Sequence, residues 1–306
     1  MAGNGCAFGV VIPVKNLPET LAELVAPLPE EDFLTLLRDR KLTHLRGAGR
    51  NRYSRLMNWK MLLDMIRRGQ HPANISEFRL VMGSKMAPPD RWWKKDPNSD
   101  RNVVDLPNFL AYMKAGFNLS VTGLEAYAPH LKILSDNIKA KLKERIRIGA
   151  IVTTGKPAAF VLHFDPEDLI ILQAEGRKRW KIFGPPVVNP VLGMPPVAVP
   201  SEDTLLFDEV LEPGDFLFVP SGNWHRCENQ SERSLHIGVF FQPPNGIDMV
   251  KALTAQMLAE ERFRLPLTRL GGTPDISSVE AEIKDRAIEL VRELDLSKLL
   301  SDFEKQ

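Results

Sequence analysis

Between residues 146 and 241 the chain breaks into short β-type runs divided by glycine- and proline-bearing turns, and no other feature narrows the fold as far. The runs are Arg147–Val152, Ala159–Phe164, Leu169–Gln173, Arg179–Phe183, Phe216–Val219 and Leu235–Phe241. Between them lie Glu175-Gly176, Gly184-Pro185-Pro186, Pro213-Gly214-Asp215 and Ser221-Gly222-Asn223. Such runs bury their apolar faces by stacking or curling into a sandwich or barrel. The flanks follow another period. Apolar residues at helical spacing mark Glu30–Arg40, Met57–Arg68, Leu106–Ala115 and Tyr127–Glu144 ahead of the core, and Asp248–Arg262 and Val279–Leu294 behind it. Residues 1–20 read as a strand or arm, Ser84–Arg101 as a loop, and Gly271-Gly272-Thr273-Pro274 as a linker. The expected fold class is a mostly β core with helical flanks. A helical or mixed region over 1–145 packs on a β core over 146–243, and a helical tail follows over 244–306.

Charge and cysteine content remove several function classes. Lys plus Arg number 40 against 39 Asp plus Glu, so the net charge of +1 gives no global attraction to nucleic acid or an anionic membrane. Arg67-Arg68 and Arg50–Arg55 read as solvated faces, and Trp92-Trp93-Lys94-Lys95 as a surface loop with one Trp tucked against the core. The two cysteines, Cys6 and Cys227, form neither a disulfide framework nor a CxxC zinc site. The apolar run Cys6–Val14 is too short to span a bilayer, and no basic residue precedes it as in a signal peptide. A cytoplasmic location is expected.

The chemistry rests on histidines. Of six, three fall in the β core: His163, His225 and His236. In a strand, residues i and i+2 share a face, so His163-Phe164-Asp165 offers an imidazole and a carboxylate to one point. His225 closes the segment LEPGDFLFVPSGNWH, in which a tight turn, an apolar strand and a loop deliver a histidine to a barrel mouth. Two His and one carboxylate make the facial triad of non-haem Fe(II) oxygenases, which leaves positions open for co-substrate and oxygen. His-x-Asp alone is a common tripeptide, so further features must carry the reading. Lys178 lies fifteen residues after His163, where a strand returning from Gly176 can bring it near the metal. An inward lysine needs an anion; otherwise Arg177-Lys178-Arg179 is a solvated basic turn. Ser234, His236 and Gly238 share one strand face, with His236 read as a satisfied interior histidine rather than a fourth ligand.

The segments HFDPEDLIILQAEGRKRWKIF and LEPGDFLFVPSGNWH resemble the JmjC-type 2-oxoglutarate oxygenases, above all the cupin-like branch of the ribosomal oxygenases, with the asparaginyl hydroxylases next. The family pattern H-x-D, Q-x-x-G-x-K-x-W and P-G-D-x-L-x-x-P-x-x-x-x-H is met at each element, and the resemblance extends over about residues 30 to 267. It implies a double-stranded β-helix, the jelly roll of cupins and JmjC domains. It implies Fe(II) at His163, Asp165 and His225, and 2-oxoglutarate with its C5 carboxylate on Lys178. Thr153 and Ser234 fall near positions that line the co-substrate pocket in relatives. There are departures: relatives carry Asn and Tyr where this chain has residues near Gly149 and Ile151, and TTGKPAAFVLH lacks their glycine-rich, aromatic approach to the metal. The implied activity is hydroxylation of an unactivated C–H in a protein or peptide side chain. The alternatives are a hydroxylase of a free amino acid or small natural product, and a non-catalytic or 2-oxoglutarate-independent metal-binding cupin. The tail stripe Ile283, Ala287, Leu290, Val291 and Leu294 would pack on the core or on a second copy, making a homodimer an expectation.

Overall fold

A computed structural model describes residues 17–47, 49, 51–96, 102–155, 160–266 and 276–304. The strand or arm expected in residues 1–20, the Gly271–Pro274 linker and Arg50 lie wholly or mostly outside them. The chain forms two compact units, one holding residues through Ile138 with Ile146–Phe241, the other Lys139–Arg145 with the residues from Gln242 onward.

The first unit begins with α1 (Leu21–Val25), α2 (Glu30–Arg38), β1 (Thr43–Leu45) and α3 (Trp59–Arg67). There follow β2 (Phe78–Met82), β3 (Lys85–Met86), β4 (Trp93–Lys95), β5 (Asn102–Val104), α4 (Leu106–Lys114) and β6 (Asn118–Thr122). The core elements are α5 (Pro129–Leu142), β7 (Arg145–Thr154), β8 (Asp168–Glu175), β9 (Lys178–Phe183), β10 (Leu205–Leu211), β11 (Phe216–Val219), β12 (Trp224–Asn229) and β13 (Arg233–Gln242). A large sheet runs in the order β1-β11-β8-β13-β7-β6-β2-β3, and a smaller one in the order β10-β9-β12.

Strand alternation explains how the two sheets join. Leu169 and Ile171 of β8 and Leu217 and Val219 of β11 pack against Trp180 and Ile182 of β9 and Leu211 of β10. The intervening Phe216 and Phe218 point the other way and meet Phe33 of α2 edge-on, at ring separations of 6.1 and 5.4 Å. Both faces of β8 and β11 are therefore buried, which is why Leu169–Leu172 and Phe216–Val219 read as unbroken apolar runs. This is the expected mostly β core with helices, in a jelly-roll arrangement.

Two expectations need correction. Ala159–Phe164 is not a strand where it is described: His163 makes a single antiparallel bridge with His225 and no ladder continues from it. Pro166 supplies no N–H to extend one. Ser84–Arg101 is more ordered than a loop, containing β3, one turn of 3-10 helix and β4. Trp92 and Trp93 are both buried there, against Phe78 and, for Trp92, Phe109, where only one Trp was expected to tuck inward. The region before the core mixes helices with strands, and β1, β2, β3 and β6 extend the large sheet.

The second unit contains α6 (Gly246–Ala259), α7 (Ile276–Glu293) and α8 (Leu296–Glu304). Asn245 and Asp248 form a reciprocal capping box at the start of α6. Arg286 of α7 forks onto Glu260, with Nη2 to Oε1 at 2.7 Å, and also reaches Glu289 at 2.9 Å. No described helix is long and apolar enough to cross a membrane.

One carboxylate ties the turn before β11 to its neighbours. Asp215 accepts from the backbone N–H groups of Gly47 and Glu212, each at 3.0 Å, and faces His44 Nε2 at 3.3 Å. Its side chain is 6% exposed. Replacing it with Ala leaves two backbone donors and an imidazole without their acceptor. Asp215→Ala is expected to lower unfolding free energy by about 3 kcal/mol in urea titrations, with Asp215→Asn losing less.

Candidate metal centre

The bridge between His163 and His225 assembles the site. His163 N–H donates to the His225 carbonyl at 3.1 Å, and His225 N–H returns the bond at 2.6 Å. Partners in such a pair project to the same side, and the two imidazole centroids lie 4.4 Å apart. Phe164 turns to the opposite side and packs edge-on against Trp224 at 4.9 Å. Asp165, one further along, returns to the side of the histidines. Its carbonyl accepts from Gly222 N–H at 2.9 Å, which holds the loop on the turn leading to β12. Gly222 has φ +80°, and a Cβ there would lie 1.9 Å from the Val187 carbonyl oxygen, so only glycine makes this approach.

His163 Nδ1 lies 2.8 Å from the Val161 carbonyl, and His225 Nδ1 lies 3.0 Å from the Asn223 carbonyl. A carbonyl only accepts, so each Nδ1 carries a proton and Nε2 is the ring atom left to face a metal. The Nε2 atoms stand 3.9 and 3.6 Å from the Asp165 carboxylate oxygens, and the three ligand atoms all lie within 4.8 Å of one another. No other cluster of three such groups occurs among the described residues. Burial, reinforced by His163, pushes His225 down to about 4 against the pull of Asp165. At neutral pH it is the uncharged imidazole that a metal requires.

Lys178, the first residue of β9, is 2% exposed. Its Nζ donates to Thr153 Oγ1 at 2.8 Å and to His236 Nδ1 at 3.2 Å. No carboxylate pairs with it among the described residues. Burial pushes its ammonium down to about 8, and burial, with Lys178 next, pushes His236 well below the usual imidazole range. His236 is therefore neutral and can accept. Burial likewise pushes the neighbouring Cys227 thiol up to about 12, so it supplies no compensating negative charge. Ser234 is fully buried on the same strand as His236, and its hydroxyl has no partner among the described residues. The structure thus joins Lys178, Thr153 and His236 directly, with the indole of Trp180 5.6 Å from the His225 ring and 5.4 Å from that of His236.

Sequence reasoning missed Arg79. It stands in the otherwise apolar run FRLVM of β2, and that lone charge was the available signal. Its guanidinium lies 5.7 Å from the Phe160 ring, which in turn packs against His163 at 5.4 Å. Also missed were the Val161 and Asn223 carbonyls, because main-chain acceptors carry no mark in a sequence.

Residues 127–249 match the family model described as JmjC domain. It is similar to the bifunctional lysine-specific demethylase and histidyl-hydroxylase NO66 of Drosophila mojavensis, with 25% identity over 70% of this chain and 24% of that protein. It is also 25% identical to ribosomal oxygenase 1 of Rattus norvegicus, over 80% of this chain and 42% of that protein. The chain thus spans well under half the length of these curated relatives. Among solved structures, YcfD, a ribosomal oxygenase from Escherichia coli in complex with cobalt and 2-oxoglutarate, superposes with a TM-score of 0.53 at 16% identity, covering 92% of this chain and 72% of that one. That likeness shows a shared fold.

The buried ammonium has a measurable cost. Its folded pKa lies below the unfolded value of 10.5, so the unfolded chain binds more protons between about pH 8 and 10.5, and stability rises with pH through that window. Lys178→Met should stabilise the ligand-free protein at pH 7 by on the order of 3 kcal/mol, a gain that shrinks as pH rises toward 10.5. Thermal or urea unfolding as a function of pH reads this directly.

Proposed function

We propose that the chain is an Fe(II)- and 2-oxoglutarate-dependent oxygenase that hydroxylates an unactivated C–H of a protein or peptide side chain. The observation that carries this reading is the pairing of two features. One is a triad of two imidazoles and a carboxylate whose ligand atoms converge, and the other is a buried lysine with no anionic partner among the described residues. The triad fits Fe(II), and the lysine fits the far carboxylate of 2-oxoglutarate. The relatives' names, histidyl-hydroxylase and ribosomal oxygenase, favour a protein substrate.

In this reading His163, Asp165 and His225 hold iron through the two Nε2 atoms and the carboxylate. Lys178, already positioned by Thr153 and His236, holds the C5 carboxylate, and the unpartnered Ser234 hydroxyl is available to the same co-substrate. Bound iron and 2-oxoglutarate supply the oxidising chemistry, with decarboxylation to succinate. The protein's own part is orientation and the exclusion of water. Trp180 closes the wall beside His225 and His236, and the Nδ1–carbonyl bonds fix both imidazole ring planes. The free thiol at Cys227 and the low cysteine count suit a reducing cytoplasm.

Anaerobic titration with Fe(II) and then 2-oxoglutarate, following the visible charge-transfer band of the chelate, tests the site. The band should form in the wild type and vanish in His163→Ala and Asp165→Ala. Lys178→Ala should raise the 2-oxoglutarate needed by about tenfold or more, the value of one charge-assisted bond. Iron binding with no band would instead mark a 2-oxoglutarate-independent metal-binding cupin.

The helical tail is proposed to pair with a second copy. Val250, Leu258, Ile288, Val291 and Leu296 of α6–α8 are exposed, with Leu258 at 63%. Light scattering should report a dimer that Val250→Glu with Leu258→Glu converts to monomer; a wild-type monomer at micromolar concentration ends the idea.

A further inference from the structure

Arg79 is a cation beside the metal centre whose hydrogen-bonding capacity the fold leaves largely unused. Register places it. Arg79 pairs with Ser120 of β6, and Ser120 pairs with Ile151 of β7. Cross-strand partners project to the same face, and Ile151 shares its face with Thr153 two residues on. Thr153 accepts from Lys178. Arg79 and Lys178 therefore serve one face of the large sheet, with Arg79 two strands further out.

The guanidinium makes one long bond, Nη2 to Ser120 Oγ at 3.4 Å, and lies over Phe160. Its Nε is buried without an acceptor among the described residues. Elsewhere in the molecule the arginine fork is filled: Arg179 by Asp208, Arg226 by Glu202 and Arg286 by Glu260. Arg79 has no such carboxylate among the described residues. The acidic charge that reaches it is that of Asp165, which opposes the effect of burial on Arg79. Asp165 belongs to the triad, so a bound cation would take up that charge and leave the guanidinium in need of another anion.

We propose that Arg79 is a specificity residue that receives a carboxylate of the peptide substrate, an Asp or Glu side chain or a chain terminus adjacent to the oxidised residue. This rests on the oxygenase reading. The co-substrate's far carboxylate has the deep Lys178, and its near one chelates the metal. Arg79 is only partly buried and stands at the outer strands, where an incoming peptide can reach it. A bidentate carboxylate would satisfy its donors and its charge together.

The test is selection from a random-sequence peptide library by the full chain, loaded anaerobically with Fe(II) and 2-oxoglutarate. Wild-type protein should enrich Asp or Glu at one fixed position. Arg79→Gln should bind the selected acidic peptide about tenfold or more weakly, Arg79→Lys should recover part of the loss, and Arg79→Glu should shift enrichment to Lys or Arg. The 2-oxoglutarate band is measured in all four proteins and should be unchanged. Wild-type selection without acidic enrichment, or none at all, overturns the proposal. So does a weakened band in Arg79→Gln, which would assign the cation to the co-substrate. Absence of the band in every protein would instead defeat the oxygenase reading itself.

Discussion

The reciprocal backbone bonds between His163 and His225 hold the site together. They join residues 62 positions apart in sequence without a continuing ladder, at N–O separations of 3.1 and 2.6 Å. Because each residue gives and receives, both side chains must emerge on one side at neighbouring positions. The proximity of the imidazoles is thus a consequence of main-chain geometry, in place before any metal arrives. Gly222, donating to the Asp165 carbonyl while its own carbonyl accepts from Val187, extends the same control to the third ligand. A site held by main-chain contacts can tolerate much side-chain variation around it.

The fold was legible because burial on both faces leaves a plain trace. Leu169–Leu172 of β8 and all of β11 are apolar, and Phe216–Val219 begins and ends where the sequence suggested. Leu205–Leu211 escaped because its inner positions are only half covered and it carries Asp208 and Glu209. Trp224–Asn229 escaped because WHRCEN follows no two-residue alternation in polarity. The triad was legible through residue type and spacing, although the supposed strand at His163 is a bridge. The i and i+2 rule still worked there, because Phe164 is drawn to Trp224 and leaves its neighbours on the other side. Arg79 was not legible: its role depends on a cross-strand register through Ser120, and registers between distant segments are not written locally.

Electrostatics separates what the fold needs from what the site does. Asp215 is a buried carboxylate with donors for both oxygens, and it stabilises the turn that launches β11. Lys178 is a buried ammonium with two neutral acceptors and no anion among the described residues, and burial alone works against its charge. Nothing in core packing calls for a lysine at that point, since its strand neighbours Trp180 and Ile182 continue inward as apolar groups. A residue that opposes stability where an apolar one would fit is where function is to be sought.

The same contrast orders the two cations. Lys178 is enclosed and shaped by Thr153 and His236, a setting for one small ligand of fixed length. Arg79 lies toward the edge, held by an aromatic face and one long hydroxyl bond, and it can adjust its fork to what approaches. On the proposed reading, a deep, rigid cation and a shallow, adaptable one on the same sheet face would divide recognition between an invariant co-substrate and a variable substrate. The strands that separate them carry only Ser120 and Ile151 on the intervening row, neither of them charged. On that reading, changes at that row would alter the surface between the two cations without disturbing either of them.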